Sequence, residues 1–202
     1  MAHASDHAAG AADLRGHLRG TTMAAHGLLD AAMQAAAGWH SRADYARFLA
    51  LQHAARAPVE AWLAAHAPAP LHPPPQTPLI AADLAALGAA SAPPPAPAPR
   101  IAALGRGAGA VLGVAWVLAG SALGNRAIAR AVTRIGAGAW PVAFLGDRAM
   151  LAFWQALRAR IERPCGPREA EGAAAAAEAV FAHFLDVARA GQGDLAAQGV
   201  GA

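Results

Sequence analysis

The stretch Gly113–Asn125, "GVAWVLAGSALGN", carries no charge. It lies within a longer uncharged run, 107–125, that Arg106 and Arg126 close. A run of this length could span a membrane. Its apolar character, however, comes largely from glycine and alanine rather than from Leu, Ile and Phe. No second such run follows, and Trp and Tyr do not flank it as interfacial anchors would. The segment therefore reads as a helix buried inside a soluble fold. Each helical glycine costs about 1 kcal/mol relative to alanine. Alanine is abundant here, so the glycines need a reason. Close approach to a ligand and a tight helix–helix crossing are the two candidates.

The surrounding chain is consistent with a helical protein. Hydrophobic residues make up 56% of the 202 positions, much of that alanine, while aromatics are only 5% and β-branched runs are nearly absent. The length suits one domain with a sizeable core. The expectation is an all-α, single-domain helical bundle over residues 11–191, with disordered ends at 1–10 and 192–202. A first helix is expected from about Ala11 to Ala37. A second begins after Ser41 as N-cap, with Tyr45, Phe48, Leu49, Val59, Trp62 and Leu63 at helical spacing. Pro58 should kink or divide it. A short helix ends at Gly88. The glycine-rich helix runs from about Leu104 to Ile135. Two more follow, one within "GDRAMLAFWQALRARIER" and one within "REAEGAAAAAEAVFAHFLDVARA". Proline-rich loops near 67–78 and 91–100 read as extended connectors.

Charge and composition exclude several functions. All basic residues are arginine, the net charge is +3, and the arginines are scattered without interleaved aromatics. Nucleic-acid binding is not expected. One cysteine, Cys165, excludes an internal disulfide and a cysteine-based zinc site. The N-terminal residues lack the pattern of a secretory signal, so a cytoplasmic location is expected. "GAGAVLG" at 107–113 has the look of a dinucleotide-binding loop, but that chemistry needs a preceding strand and a parallel sheet. Arg126 and Arg130 stand near where an acidic ribose ligand would be required.

Most of the nine histidines show no metal-ligand pairing. His26 has distinctive neighbours in "LRGHLRGTTMAAHGLLDAAM". On a helix Arg19 stands seven residues earlier, about 20° around the axis and about 10 Å along it. Arg15 lies one turn further on that face, and Leu29, Asp30 and Met33 continue it. The face offers an imidazole, apolar packing and cations two turns away. A core histidine is the plainer reading of the same pattern. A flat anionic ligand with a central metal would use all three features.

"LRGTTMAAHGLLD" resembles the first-helix pattern of the haem oxygenase family, and "WVLAGSALGN" resembles its distal-helix pattern, usually written like "YVLEGSxLGG". "TPLIAADLAALG" and "FLGDRAMLAFWQAL" are similar to the segments before and after that helix. Order and spacing agree over roughly 14–188, most closely with bacterial, biliverdin-producing, phytochrome-associated forms. The resemblance implies His26 as the proximal iron ligand, with Asp30 near its other ring nitrogen. It implies Gly120 and Gly124 as the glycines that let the distal backbone approach the porphyrin, beside Ser121. Arg19 would pair with a propionate, and Arg158 and Arg160 are further propionate candidates. Haem would be both cofactor and substrate, opened with O2 to biliverdin, CO and ferrous iron. With no flavin or nicotinamide motif, electrons would come from a ferredoxin or flavoprotein reductase, and a phytochrome could accept the pigment. Trp116, Ala119 and Asn125 depart from the family's tyrosine, glutamate and glycine, and Ser121 stands where some members have aspartate. A degenerate, haem-binding homologue without turnover is the competing expectation.

Overall fold

The computed structural model describes residues 13–89 and 92–199, with side chains described to residue 193. These residues form an all-helical fold without a strand. Seven α-helices follow in order: α1 Leu14–Ala36, α2 Arg42–His66, α3 Thr77–Ala86, α4 Pro99–Ala102, α5 Ala108–Ile135, α6 Arg148–Ile161 and α7 Pro167–Gly199. A 3-10 turn, Ala69–Leu71, lies between α2 and α3. The termini expected to be disordered lie mostly outside the described residues. At the C-terminal end α7 continues past Gly191 to Gly199.

Local chemistry starts and stops the helices. Asp13 caps α1 by accepting from the Gly16 amide. Ser41 and Asp44 form a reciprocal capping box on α2. Asp147 accepts from the Ala149 and Met150 amides at the start of α6. The start of α3 is capped from a distance: Glu60 of α2 accepts from the Gln76 and Thr77 amides and from the Thr77 hydroxyl. Gly88 ends the α3 region in a left-handed conformation, φ +62°, which suits glycine.

Pro58 does not divide α2, which runs unbroken from Arg42 to His66. Proline lacks the N–H that would reach the Ala54 carbonyl. That carbonyl instead accepts from the Ala96 amide of the second proline-rich loop at 3.1 Å. The neighbouring Ala55 carbonyl meets His183 Nε2 of α7 at 3.0 Å. Two distant segments thus occupy carbonyls around the interruption. His183 is buried, and burial lowers its pKa against the opposing effect of this hydrogen bond. A neutral ring with the proton on Nε2 fits the contact.

α5 and α7 form the backbone of the packing, and α1 also lies along α7. One apolar core joins Leu14 and Leu18 of α1, Trp62 of α2, Val111–Ala122 of α5, Leu157 of α6 and the alanine-rich face of α7. A second joins Met33, Tyr45, Phe48, Leu84, Val132 and Phe144. Here the first group of glycines finds its reason. A Cβ on Gly109 or Gly113 would run into the α7 backbone at Glu169 and Ala173. The two helices cross on bare backbone opposite Ala173 and Ala177, both buried. Gly109 and Gly113 therefore serve this crossing, while Gly107 stands at the N-cap of α5. They open a helix that follows a short helix and a turn rather than a strand, so the dinucleotide-loop context is missing. Among the described residues α5 alone is long and apolar enough to cross a membrane, and 56% of its most apolar window is buried in the fold.

The 136–146 loop is tied to the second core by polar groups. Asp83 of α3 accepts from the Ala143 and Phe144 amides at 3.0 and 2.9 Å. Tyr45 donates its hydroxyl to the Pro141 carbonyl at 2.8 Å. Burial raises the pKa of Asp83 while the two amides oppose the rise. These bonds place the Phe144 ring beneath Arg56 of α2, 5.0 Å from guanidinium carbon to ring centroid.

Candidate functional site

α1 and α5 each pack on α7 and have little contact with one another. Between them lies a cavity of about 580 Å³. That is within the ordinary range for organic ligands, about 300–1,000 Å³. The two apolar cores meet at this cavity. Met33 and Phe48 come from one, and Leu118, Trp154 and Phe184 from the other.

From α1 the cavity receives Arg15, Arg19, His26 and Asp30. The four- and seven-residue spacings that gather them on one helix face also bring them to one cavity. His26 Nδ1 lies 3.1 Å from Asp30 Oδ2, one turn along the helix. A carboxylate there favours the proton on Nδ1 and leaves the Nε2 lone pair available to a metal. The imidazole is 60% exposed, as a ligand awaiting a partner can be and a core histidine is not. Its ring meets Phe181 edge-on, centroids 5.9 Å apart.

From α5 the cavity receives Trp116, Gly120, Ser121, Gly124 and Asn125. These glycines differ from Gly109 and Gly113. A Cβ on Gly124 would meet nothing within 4 Å, and one on Gly120 would make only ordinary contact with the Trp154 ring at 3.7 Å. A helix crossing does not account for them. Their absent side chains leave bare helix backbone along the cavity wall.

Ser121 donates to the Leu118 carbonyl at 2.7 Å and accepts from Arg56 Nη2 at 2.8 Å. Arg56 was not legible as a site residue in the sequence. It sits in the middle of α2, where its neighbours suggest a solvated charge, yet it is 2% exposed and lines the cavity. Its Nε donates to Gln52 at 3.1 Å. Burial lowers the guanidinium pKa to about 10, partly offset by Glu60, so it is cationic at neutral pH.

Among the described residues, no carboxylate lies within ion-pair reach of Arg19, which is exposed at the cavity. Arg15 also lines it and bonds Glu162 at 2.9 Å. Arg158 and Arg160 do not line it. Arg158 instead shares Glu162, with contacts at 3.0 and 2.8 Å. The acidic residue four positions on pairs with that arginine, and Arg15 stands beside Arg19 as the second cation that α1 brings to the cavity.

Among the described residues, Arg56 Nη1 and Trp116 Nε1, buried donors of two residues that line the cavity, find no acceptor. No cluster of three or more His, Cys, Asp or Glu side chains forms among the described residues. A bare metal ion would need such a set. A macrocycle that brings its own nitrogens needs one imidazole. The arrangement suits a large, flat ligand with acceptor or anionic groups and a metal at its centre.

The class that fold and site define is an all-helical protein with a ligand-sized cavity between a histidine-bearing helix and a glycine-faced helix. Comparison with protein-family models, with curated proteins and with solved structures gives no match. The resemblance to haem oxygenases rests on the quoted segments.

Proposed function

We propose that the protein is a haem oxygenase of the biliverdin-producing kind, with haem as both cofactor and substrate. One observation carries the reading. His26 with its Asp30 partner, and Gly120 and Gly124 with no helix backbone packed against them, line a single cavity of ligand size. These residues lie about one hundred positions apart in the sequence. They are the ones the two family-like segments single out.

In this reading His26 Nε2 holds the iron, and Asp30 orients the ring through Nδ1. Arg19 and Arg15 receive the propionates at the exposed side. Trp154, Phe181 and Phe184 line the cavity and would exclude water from the ring system. Gly120 and Gly124 would let the α5 backbone come close to the ring. Bound haem supplies the iron that activates O2 for opening its own ring. The Ser121–Arg56 pair presents a hydroxyl oxygen backed by a cation on the α5 side. Electrons come from a separate ferredoxin or flavoprotein reductase, and the pigment passes to an acceptor such as a phytochrome. The protein works in the cytoplasm.

The test is hemin titration of the purified chain, followed by addition of a ferredoxin reductase system under air. A histidine-type Soret band and growth of biliverdin absorption are expected. His26→Ala should lose the band, and added imidazole should restore part of it. A His26-dependent band with no biliverdin under any reductant would leave haem binding as the function. No band with wild-type protein overturns both.

A further inference from the structure

The cavity contains a charge that the haem reading does not require. Arg56 is 2% exposed, and among the described residues no carboxylate pairs with it. Its acceptors are neutral: Gln52 through Nε and Ser121 through Nη2. Glu60, the acidic residue whose field reaches it, is taken up by the α3 amides and the Thr77 hydroxyl. Nη1 has no acceptor, and neither has Trp116 Nε1 on the same cavity. Among the described residues, the aromatic faces of Phe144 and Phe184, at 5.0 and 6.0 Å, are what else lies against the cation.

Burying a cation among neutral partners is unfavourable, and a well-packed apolar residue of similar volume would serve packing better. An anion held against the guanidinium from the adjoining cavity would offset that penalty. We propose that Arg56 makes the inner wall of the cavity a subsite for a monovalent anion, either a small inorganic anion or a carboxylate of the cavity's occupant. The Arg56 guanidinium receives it, with Nη1 as the donor that otherwise has no acceptor among the described residues. Ser121 holds the guanidinium against the α5 wall through Nη2. The subsite is separate from the Arg15 and Arg19 cations contributed by α1, and it does not depend on haem being the ligand.

The experiment uses the full haem-free chain. Thermal melting is followed in sodium azide or nitrate, and in parallel in sodium acetate or propionate. Sodium gluconate, too bulky for the subsite, holds ionic strength constant. At about ten times the dissociation constant, mass action implies a rise in Tm of roughly 3–5 °C for a chain of this size. The rise should vanish in Arg56→Met, whose own Tm should equal or exceed that of wild type, because a buried unpaired charge has been removed. If Arg56→Met does not fold, Arg56→Lys, which keeps the cation with a different reach, should still respond at weaker affinity. A response to azide and nitrate alone identifies an inorganic anion. A response to acetate or propionate identifies a carboxylate. No response of the wild type to any of the four salts, or an undiminished response in Arg56→Met, overturns the proposal. Neither result bears on the hemin titration, so the two readings fail separately.

Discussion

The contrast between Gly113 and Gly124 can be measured. Both lie in α5 and both are glycine; composition and spacing do not rank them, and in the sequence only the family resemblance sets Gly124 apart. Replacing Gly113 by alanine drives a Cβ into the Ala173 backbone of α7. Backbone cannot rotate away, so the cost falls at the upper part of the usual overpacking range, about 2–3 kcal/mol. For a chain of this size that corresponds to a fall in Tm of roughly 4–12 °C. Replacing Gly124 by alanine meets nothing within 4 Å. The gain in helix propensity, about 0.5–1 kcal/mol, should instead raise the Tm of the haem-free protein by roughly 1–4 °C. Gly124→Leu goes further, because its side chain occupies the cavity. At a steric cost of about 1–3 kcal/mol to an occupant, hemin should bind roughly 5- to 150-fold more weakly. The assay pairs thermal melting of the haem-free protein with hemin titration at the Soret band, for all three variants. Loss of stability in Gly124→Ala comparable to that in Gly113→Ala would show that the Gly124 face packs against protein. Wild-type hemin affinity in Gly124→Leu would show that no occupant lies over that face.

Other expectations concern the residues around this wall. Arg19→Glu should weaken hemin retention or alter the ratio of biliverdin isomers; unchanged affinity and products, by titration and chromatography, would remove Arg19 from the site. Because Arg19 is exposed, the effect on retention should be modest, no more than about tenfold. Asp83→Asn replaces one of two acceptors with a donor and leaves the Ala143 or Phe144 amide unpaired. A loss of about 1–3 kcal/mol in chemical denaturation is expected, with weaker seating of Phe144 under Arg56. His183 has a folded-state pKa below its ordinary value of 6.5, so the unfolded chain binds the extra proton first. Its contribution to stability is present above about pH 6.5 and declines as pH falls toward the lower folded value. His183→Gln, which can still donate to Ala55, should flatten that part of the stability–pH curve; an unchanged curve would refute the assignment.

What the sequence determines here is local. Helical spacing, caps such as Ser41 and Asp147, and the left-handed glycine at Gly88 mark most of the elements, because each acts within a turn of its own position. The same logic gathers Arg15, Arg19, His26 and Asp30 on one face of α1, and a shared face reaches a shared cavity. The tertiary structure decides whatever depends on a partner far along the chain. Pro58 is tolerated inside α2 because Ala96 and His183 occupy carbonyls beside it. Arg158 does not line the cavity and pairs with Glu162, which Arg15 also reaches from a distant part of the chain. Arg56 is buried because Ser121, Phe144 and Phe184 converge on it from three other parts of the chain. The glycines divide into a crossing pair and a cavity pair only when α7 is set beside α5. Glycine records that a side chain is absent, and only the neighbouring backbone, or its absence, shows what takes up the space.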